Sequence, residues 1–228
     1  MKVAIHQPNF LPYLGFFDKC DYADVVILYD SAQFSKNDFQ NRNRLRKSVG
    51  WRWITIPVSY KFKDSIAKVR FASNRWQCEH LAIIEQNYNR ATHYKKYISS
   101  LMRLYNASGD SLANFNMSLI KFFFDELGIK KKIILSSELG ISSSSTQALV
   151  DMCKKVGATE YVSGVDGRNY LDLKLFKKEN FKVAFQEYQH PIYNQCYSGF
   201  EPHMSILDLL FNKGPNSLNI IRSGRNYL

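Results

Sequence analysis

No two of the four cysteines, Cys20, Cys78, Cys153 and Cys196, stand close together in the chain. That excludes a CxxC redox motif and a zinc ribbon, and leaves buried free thiols as their ordinary role. Spaced histidine pairs are also absent, so no metal site is expected. No run is long and apolar enough to span a membrane, and the chain enters its first strand without the charged, apolar and small-residue series of a secretory signal. No membrane insertion and a cytoplasmic location are therefore expected. Repeats, low-complexity stretches and linkers are lacking as well, so residues 1–228 are expected to form a single domain. Acid is scarce against base, 20 Asp and Glu to 31 Lys and Arg, a formal charge of +11. Such a surface attracts phosphates, nucleotides, nucleic acid or acidic headgroups without choosing among them.

What is present has an alternating rhythm. Residues 2–5 are a short apolar run closed by His6, Gln7 and Pro8; residues 13–22 read as a helix, and residues 25–29 as a β-branched strand ending at Asp30. Residues 31–49 are polar and aperiodic and read as a functional loop, and residues 51–58 (WRWITIPV) as a strand. Residues 74–127 are helical in pattern, two helices divided near Ala91 and Thr92 and a third capped by Ser111 or Asp110 and ended by Gly128. They form a helical insertion or lid. Strands at residues 133–136, 160–163 and 182–188, with helices at 144–156 and 171–178, restore the rhythm, and a last helix covers 205–212. About six strands separated by helices predict an α/β fold, a three-layer sandwich with a mostly parallel, Rossmann-like sheet.

In such a sheet ligands bind beyond the carboxyl ends of the strands. Four clusters of polar residues fall there. One is His6, Gln7, Asn9 and Tyr13; the second runs through Asp30, Gln33, Lys36, Gln40, Asn41, Arg42, Asn43 and Arg44. The third is Gly164, Asp166, Gly167, Arg168 and Tyr170, and the fourth Gln186, Tyr188, His190, Pro191 and Tyr193. Amides orient a ligand, Arg and Lys neutralise phosphate or carboxylate, and histidine carries protons near neutral pH. His6 and His190, each beside a proline, are the catalytic candidates. The hydroxyls and amides of residues 142–146, at a helix start, suit phosphate, although capping is their commoner use.

The segments HQPNFLPYLGFFDK, QFSKNDFQNRNRLR, SGVDGRNYLD, FQEYQHPIY and FEPHMSILDLLFNKGP, taken together and in order, resemble the WbqC-like family of bacterial proteins. The matching positions include His6, Gln7, Pro8, Tyr13 and Gly15; Gln33, Asn41, Arg42 and Asn43; Gly164, Gly167 and Arg168; and His190 and Pro191. Members are associated with O-antigen and other surface-polysaccharide gene clusters, and the resemblance implies work on a sugar or its nucleotide-linked form. The first strand, loop and helix are also similar to those of nucleotidylyltransferases and pantothenate-synthetase-like ligases. Where those carry a histidine-x-glycine-histidine step, this chain has Tyr13-Leu14-Gly15-Phe16.

The expected activity is acyl or aminoacyl transfer to the amine of a nucleotide-linked or amino sugar. His6 or His190 would take the amine proton, Arg42 and Arg168 would hold phosphate or carboxylate, and Gln7, Gln33 and Asn41 would orient the sugar. The partner is thus a small-molecule substrate, and the cofactor stays open between a nucleotide and an acyl donor. Glycosyl transfer is the rival enzymology, although no DxD pair of carboxylates is present. Nucleic-acid binding, the non-enzymatic alternative, draws on the charge and aromatics but lacks a helix-turn-helix or an aromatic sheet face.

Overall fold

Residues 1–73 and 75–228 are described by a computed structural model. In chain order the elements are β1 (Lys2–His6), α1 (Leu14–Tyr22), β2 (Val25–Leu28), β3 (Arg42–Arg46), β4 (Trp51–Thr55), β5 (Val58–Ser59), β6 (Arg70–Phe71), α2 (Trp76–Tyr88), α3 (Tyr94–Asn106) and α4 (Leu112–Leu127). There follow β7 (Lys132–Leu135), α5 (Ser145–Val156), β8 (Glu160–Gly164), α6 (Leu173–Lys178), β9 (Lys182–Gln186), α7 (Ile206–Lys213) and α8 (Ser217–Ser223), with short 3-10 turns between several of them.

Five of the strands form one parallel sheet in the order β7-β2-β1-β8-β9. Ranked by chain position that is 3-2-1-4-5, the doubly wound arrangement, with its switch point between β1 and β8. Side chains alternate across the sheet. Val3, Ile5 and Ile27 pack with α5 and α6 on one face, while Val26 and Leu28 pack with Leu14 and Phe17 of α1 and Phe123 of α4 on the other. Interior parallel strands are covered on both faces, which is why their sequences are nearly continuous apolar runs. The molecule is the expected three-layer α/β sandwich.

The helices after β6 divide at Ala91 and Thr92, between α2 and α3. Asn74, where the helical segment was expected to begin, lies outside the described residues. The Ser111 hydroxyl accepts from the Asn114 amide, and Gly128, at φ 74°, closes α4 in the left-handed conformation. α4 is a wall of the sandwich. Phe123 meets Phe17 of α1 edge-on, ring centroids 5.8 Å apart, within the core over β2.

Two segments depart from the expected path. WRWITIPV does not join the sheet: β4 pairs antiparallel with β3 in a separate hairpin, so residues 31–49, read as loop, contain a strand. The physical reason is visible in both. Ile54 of β4 and Asn43 and Leu45 of β3 are the buried face of the hairpin while Trp51 and Trp53 stack with Arg44 and Arg42 on the other, and RNRLR has too little apolar surface to announce a strand. The second departure is the C-terminal segment. α8 was not expected, and beyond it Leu228 exchanges backbone hydrogen bonds with Phe185 of β9 at 2.8 and 3.0 Å. Arg225 and Arg222 donate from this segment to Asp18 (2.7 Å) and Asp21 (2.8 Å), and the Tyr227 hydroxyl donates to Asp18 at 2.9 Å.

Candidate functional site

At the switch point the chain leaves β1 toward α1 on one face of the sheet, and α5 approaches from the other. Two adjoining cavities of about 570 and 680 Å³ open there. His6, Gln7, Lys19, Asp38, Gly164 and Asp166 belong to the walls of both. Asn9, Tyr13, Phe39, Asn43 and Arg44 extend the first cavity, and Ser145, Thr146, Gly167 and Tyr170 the second. Each is of a size that holds a metabolite-sized ligand.

His6 is the last residue of β1. Its Nδ1–H donates to the Gln7 carbonyl at 2.9 Å, so Nε2 is the ring nitrogen that carries the lone pair. Burial, together with the charge of Lys19, pushes its pKa down to about 3, against a smaller opposing effect of the Gln7 hydrogen bond. The ring is therefore a neutral acceptor at neutral pH, and it stands edge-on to Phe16 at 5.0 Å. Gln7 Oε1 accepts from Gln40 Nε2 at 2.8 Å, which leaves the Gln7 amide nitrogen without a partner among the described residues. That nitrogen is a donor available to a ligand.

Asn43 touches the first cavity but is fully engaged elsewhere. Its Nδ2 donates to the Phe10 and Leu11 carbonyls at 3.0 and 2.7 Å, and its Oδ1 accepts from the Arg44 amide. It pins the loop that follows β1, and both of its side-chain N–H donors are spent there. Tyr13 lies over Gly15, where an added Cβ would come within 2.5 Å of the tyrosine hydroxyl. Any larger residue at that step would displace the tyrosine ring from the cavity wall. Burial, and the carboxylates of Asp166 and Asp18, raise the Tyr13 pKa, so its phenol stays a hydrogen-bonding OH. Gly167 is constrained in the same way, since a Cβ there would lie 2.1 Å from Ser163 Oγ.

Lys19 is the unexpected member. Only 4% exposed, on the otherwise buried α1, it borders both cavities, and its Nζ has no ion-pair or hydrogen-bond partner among the described residues. Burial lowers its pKa to about 8, partly opposed by Cys20. At the rim of the first cavity, Arg44 lies over Trp51 at 4.4 Å and Trp53 at 5.2 Å, and Phe39 stands 6.0 Å from Trp53. The β3–β4 hairpin thus offers a cation backed by aromatic faces.

Several residues singled out in the sequence border neither cavity, Gln40, Pro191 and Tyr193 among them. Asp30 is buried as a clamp between strand ends, accepting from Ser136 Oγ and from the Ser137 amide and hydroxyl at 2.7 to 2.9 Å. Asn41 donates to the Ile56 carbonyl at 3.0 Å and ties off the hairpin. Gln33 and Lys36 are exposed outside both cavities. Arg42 stacks on Trp53 at 4.2 Å, one strand step too far along β3, and Arg44 takes the position expected of it. Arg168 pairs with Glu187 at 2.7 Å instead of facing His6. It sits in a 3-10 turn, Val165–Asn169, where successive side chains point about 120° apart; Asp166 and Gly167 take the cavity side and Arg168 the outside. His190 uses both ring nitrogens on backbone, Nδ1–H donating to the Pro191 carbonyl and Nε2 accepting from the His203 amide, and His203, not His190, borders the first cavity together with His6.

Lys19, Asp38, Phe39 and His203 were not among the residues singled out. Lys19 lies inside α1, where every residue from Leu14 to Asp21 is buried, and the periodicity of residues 13–22 carries no signal of that. Among the described residues no group of three His, Cys, Asp or Glu is arranged to hold a metal ion, and no helix is long and apolar enough to cross a membrane.

The chain resembles the uncharacterized protein Rv1507c of Mycobacterium tuberculosis, with 35% identity over 225 residues that cover 97% of each protein. A family model for the WbqC-like protein family matches residues 7–220, a span that holds every strand of the sheet except β1 and every residue lining the two cavities except Ile5 and His6. On that match and that relative, the chain belongs to the WbqC-like protein family.

Proposed function

We propose that this protein is an enzyme of surface-polysaccharide biosynthesis that transfers an acyl or aminoacyl group to the amine of a nucleotide-linked or amino sugar. The observation that carries the reading is the pairing of a neutral His6, its Nε2 lone pair open, with the free amide nitrogen of Gln7 in one cavity. The association of the family with surface-polysaccharide genes supplies the substrate class. In the reaction the sugar amine attacks the acyl carbon, a C–N bond forms, and the bond to the donor's leaving group breaks. The nitrogen becomes strongly acidic on attack, so the weakly basic His6 suffices to take its proton and then hands it to the leaving group. Gln7, Asn9 and Tyr13 orient the sugar, the Gly164 backbone admits it closely, and Arg44 against Trp51 and Trp53 holds its outer end.

Mass spectrometry of a uridine-diphosphate-linked 4-amino sugar, incubated with the protein and either acyl-coenzyme A or an amino acid plus ATP, tests the reading. A mass increase on the sugar amine is expected, and its loss in His6→Ala. Release of uridine diphosphate with transfer of the sugar itself would replace acyl transfer by glycosyl transfer.

A further inference from the structure

The second cavity brings together two kinds of unsatisfied donor from opposite faces of the sheet. Lys19 comes from α1, in the layer over Val26 and Leu28; the residue is only 4% exposed, in the walls of both cavities, and its ammonium is unpaired among the described residues. Burying a charge without a partner is costly, and the cost is recovered when an anion occupies the adjoining space. α5 comes from the layer over Ile5 and Ile27 and presents its N-terminus, with Ser145 and Thr146 in the cavity wall. Among the described residues the amides of Ser145, Thr146 and Gln147 make no hydrogen bond; Ala148 is the first to bond back, to the Ser144 carbonyl at 3.2 Å. Ser144 stands at the cap position but its side chain makes no capping bond, and no acidic residue occupies the first turn. The ordinary occupant of a helix start, a capping oxygen, is thus missing where the cavity begins.

We propose that the second cavity is a pyrophosphate-binding site, with the Lys19 ammonium supplying the charge and the first-turn amides of α5 supplying the hydrogen bonds. A pyrophosphate carries oxygens on two tetrahedral phosphorus atoms, enough to engage both faces at once, and helix N-termini favour such anions through amides and dipole together. Gly167 and Gly164 border the same space and offer backbone without a side chain there. Two carboxylates, Asp38 and Asp166, lie at its mouth and oppose the anion. Both are exposed and screened by water, whereas the Lys19 charge is sheltered, so the field inside the cavity follows the lysine. Pyrophosphate occurs both in a nucleotide-linked sugar and in coenzyme A. To call the bound group part of the substrate pair rests on the acyl-transfer reading; the anion site does not.

Isothermal titration of the full chain with inorganic pyrophosphate tests the site. Saturable binding is expected for the wild type, weakened by about tenfold to a hundredfold in Lys19→Met, the loss of one charge-assisted contact. Ser145→Asp, which places a carboxylate at the exposed start of α5, is expected to weaken it at least as much without depending on how α1 tolerates a change. The melting temperature of Lys19→Met should hold or rise, because the substitution removes an unpaired buried charge. No saturable binding by the wild type, or wild-type affinity in both variants, overturns the site; malonate bound as tightly as pyrophosphate overturns its assignment to phosphate. Displacement of pyrophosphate by uridine diphosphate but not coenzyme A names the sugar nucleotide as the source, and the reverse names the acyl donor. Pyrophosphate binding lost in both variants, with no acylation of any amino sugar, would leave this site standing and remove the acyl-transfer reading alone.

Discussion

The side-chain amide of Gln40 donates to the side-chain oxygen of Gln7 at 2.8 Å, across 33 positions of sequence, and so turns the Gln7 nitrogen into the group left for a ligand. Gln40 is itself held on two further sides. Its own oxygen accepts from the Ser35 amide at 2.9 Å, and its backbone carbonyl accepts from Asn116 of α4 at 2.8 Å. A chain of amides therefore runs from the helical wall, through the polar segment after β2, to the end of β1.

Gln40→Ala breaks that chain at its middle. The Ser35 amide and the Gln7 oxygen lose their partner in a part-buried setting, and the expected cost is about 1 kcal/mol of stability, measured by urea denaturation. Gln7→Ala should cost little stability and instead weaken pyrophosphate binding, since Gln7 borders the second cavity as well. Equal stability losses in the two variants would show that Gln7 is a structural residue only.

Acid should destabilise the protein from the histidine range downward. Burial lowers the pKa of His6 to about 3, of His80 to about 4 and of His190 to about 4. Between those values and the unfolded pKa near 6.5 the unfolded chain binds more protons than the native one, so stability is full above about pH 6.5 and falls as pH drops, by at most about 1.4 kcal/mol per pH unit for each histidine. His6→Gln removes one of the three contributions. Urea midpoints at pH 7, 6 and 5 should decline less steeply in that variant, and an unchanged slope would show that His6 titrates normally.

Removal of the Arg225 side chain should be costly. Asp18 is fully buried and receives Arg225 Nε at 2.7 Å, and Asp21 is held by the same guanidinium and by Arg222. Without Arg225 the Asp18 carboxylate keeps only the Tyr227 hydroxyl and the Gln186 amide. A loss of about 3 kcal/mol in Arg225→Ala is expected, the low end for breaking a buried pair because those two donors remain. Thermal denaturation measures it, and a change under about 1 kcal/mol would mean that the C-terminal segment does not lock α1.

Among the arginines, Arg44 and Arg168 should separate cleanly. Arg168 is half-exposed and paired with a half-exposed Glu187, an interaction worth about 0–1 kcal/mol, so Arg168→Ala should leave both melting temperature and activity near wild type. Arg44→Ala empties the rim of the first cavity and should raise the KM for the sugar with kcat little changed, the mark of a residue that binds and does no chemistry. Steady-state rates of the two variants, side by side, check this. A KM effect in Arg168→Ala and none in Arg44→Ala would reverse the assignment.

Local chemistry in the sequence was enough for the class of fold and for the strand ends. The continuous apolar run at residues 25–28, VVIL, requires two covered faces, and that requirement, with strands and helices alternating along the chain, implies a parallel sheet between helices. His6, Gln7 and Gly164 could be read as strand-end residues because Pro8 and the turn after Gly164 stop the strands within one or two residues. Caps at Ser111, Gly128 and Gly157 were likewise local matters of hydrogen bonding and φ. Tertiary structure decided the rest. Which arginine of RNRLR reaches the cavity depends on how the hairpin registers against β4, not on the residues themselves. That Lys19 is left without a counter-ion follows from Asp18 and Asp21, its neighbours on α1, being claimed by arginines 201 to 207 positions away. Periodicity reports which side of a helix is apolar, but the partners of a buried charge are set by whatever the fold brings to it, and those contacts leave no trace in local sequence.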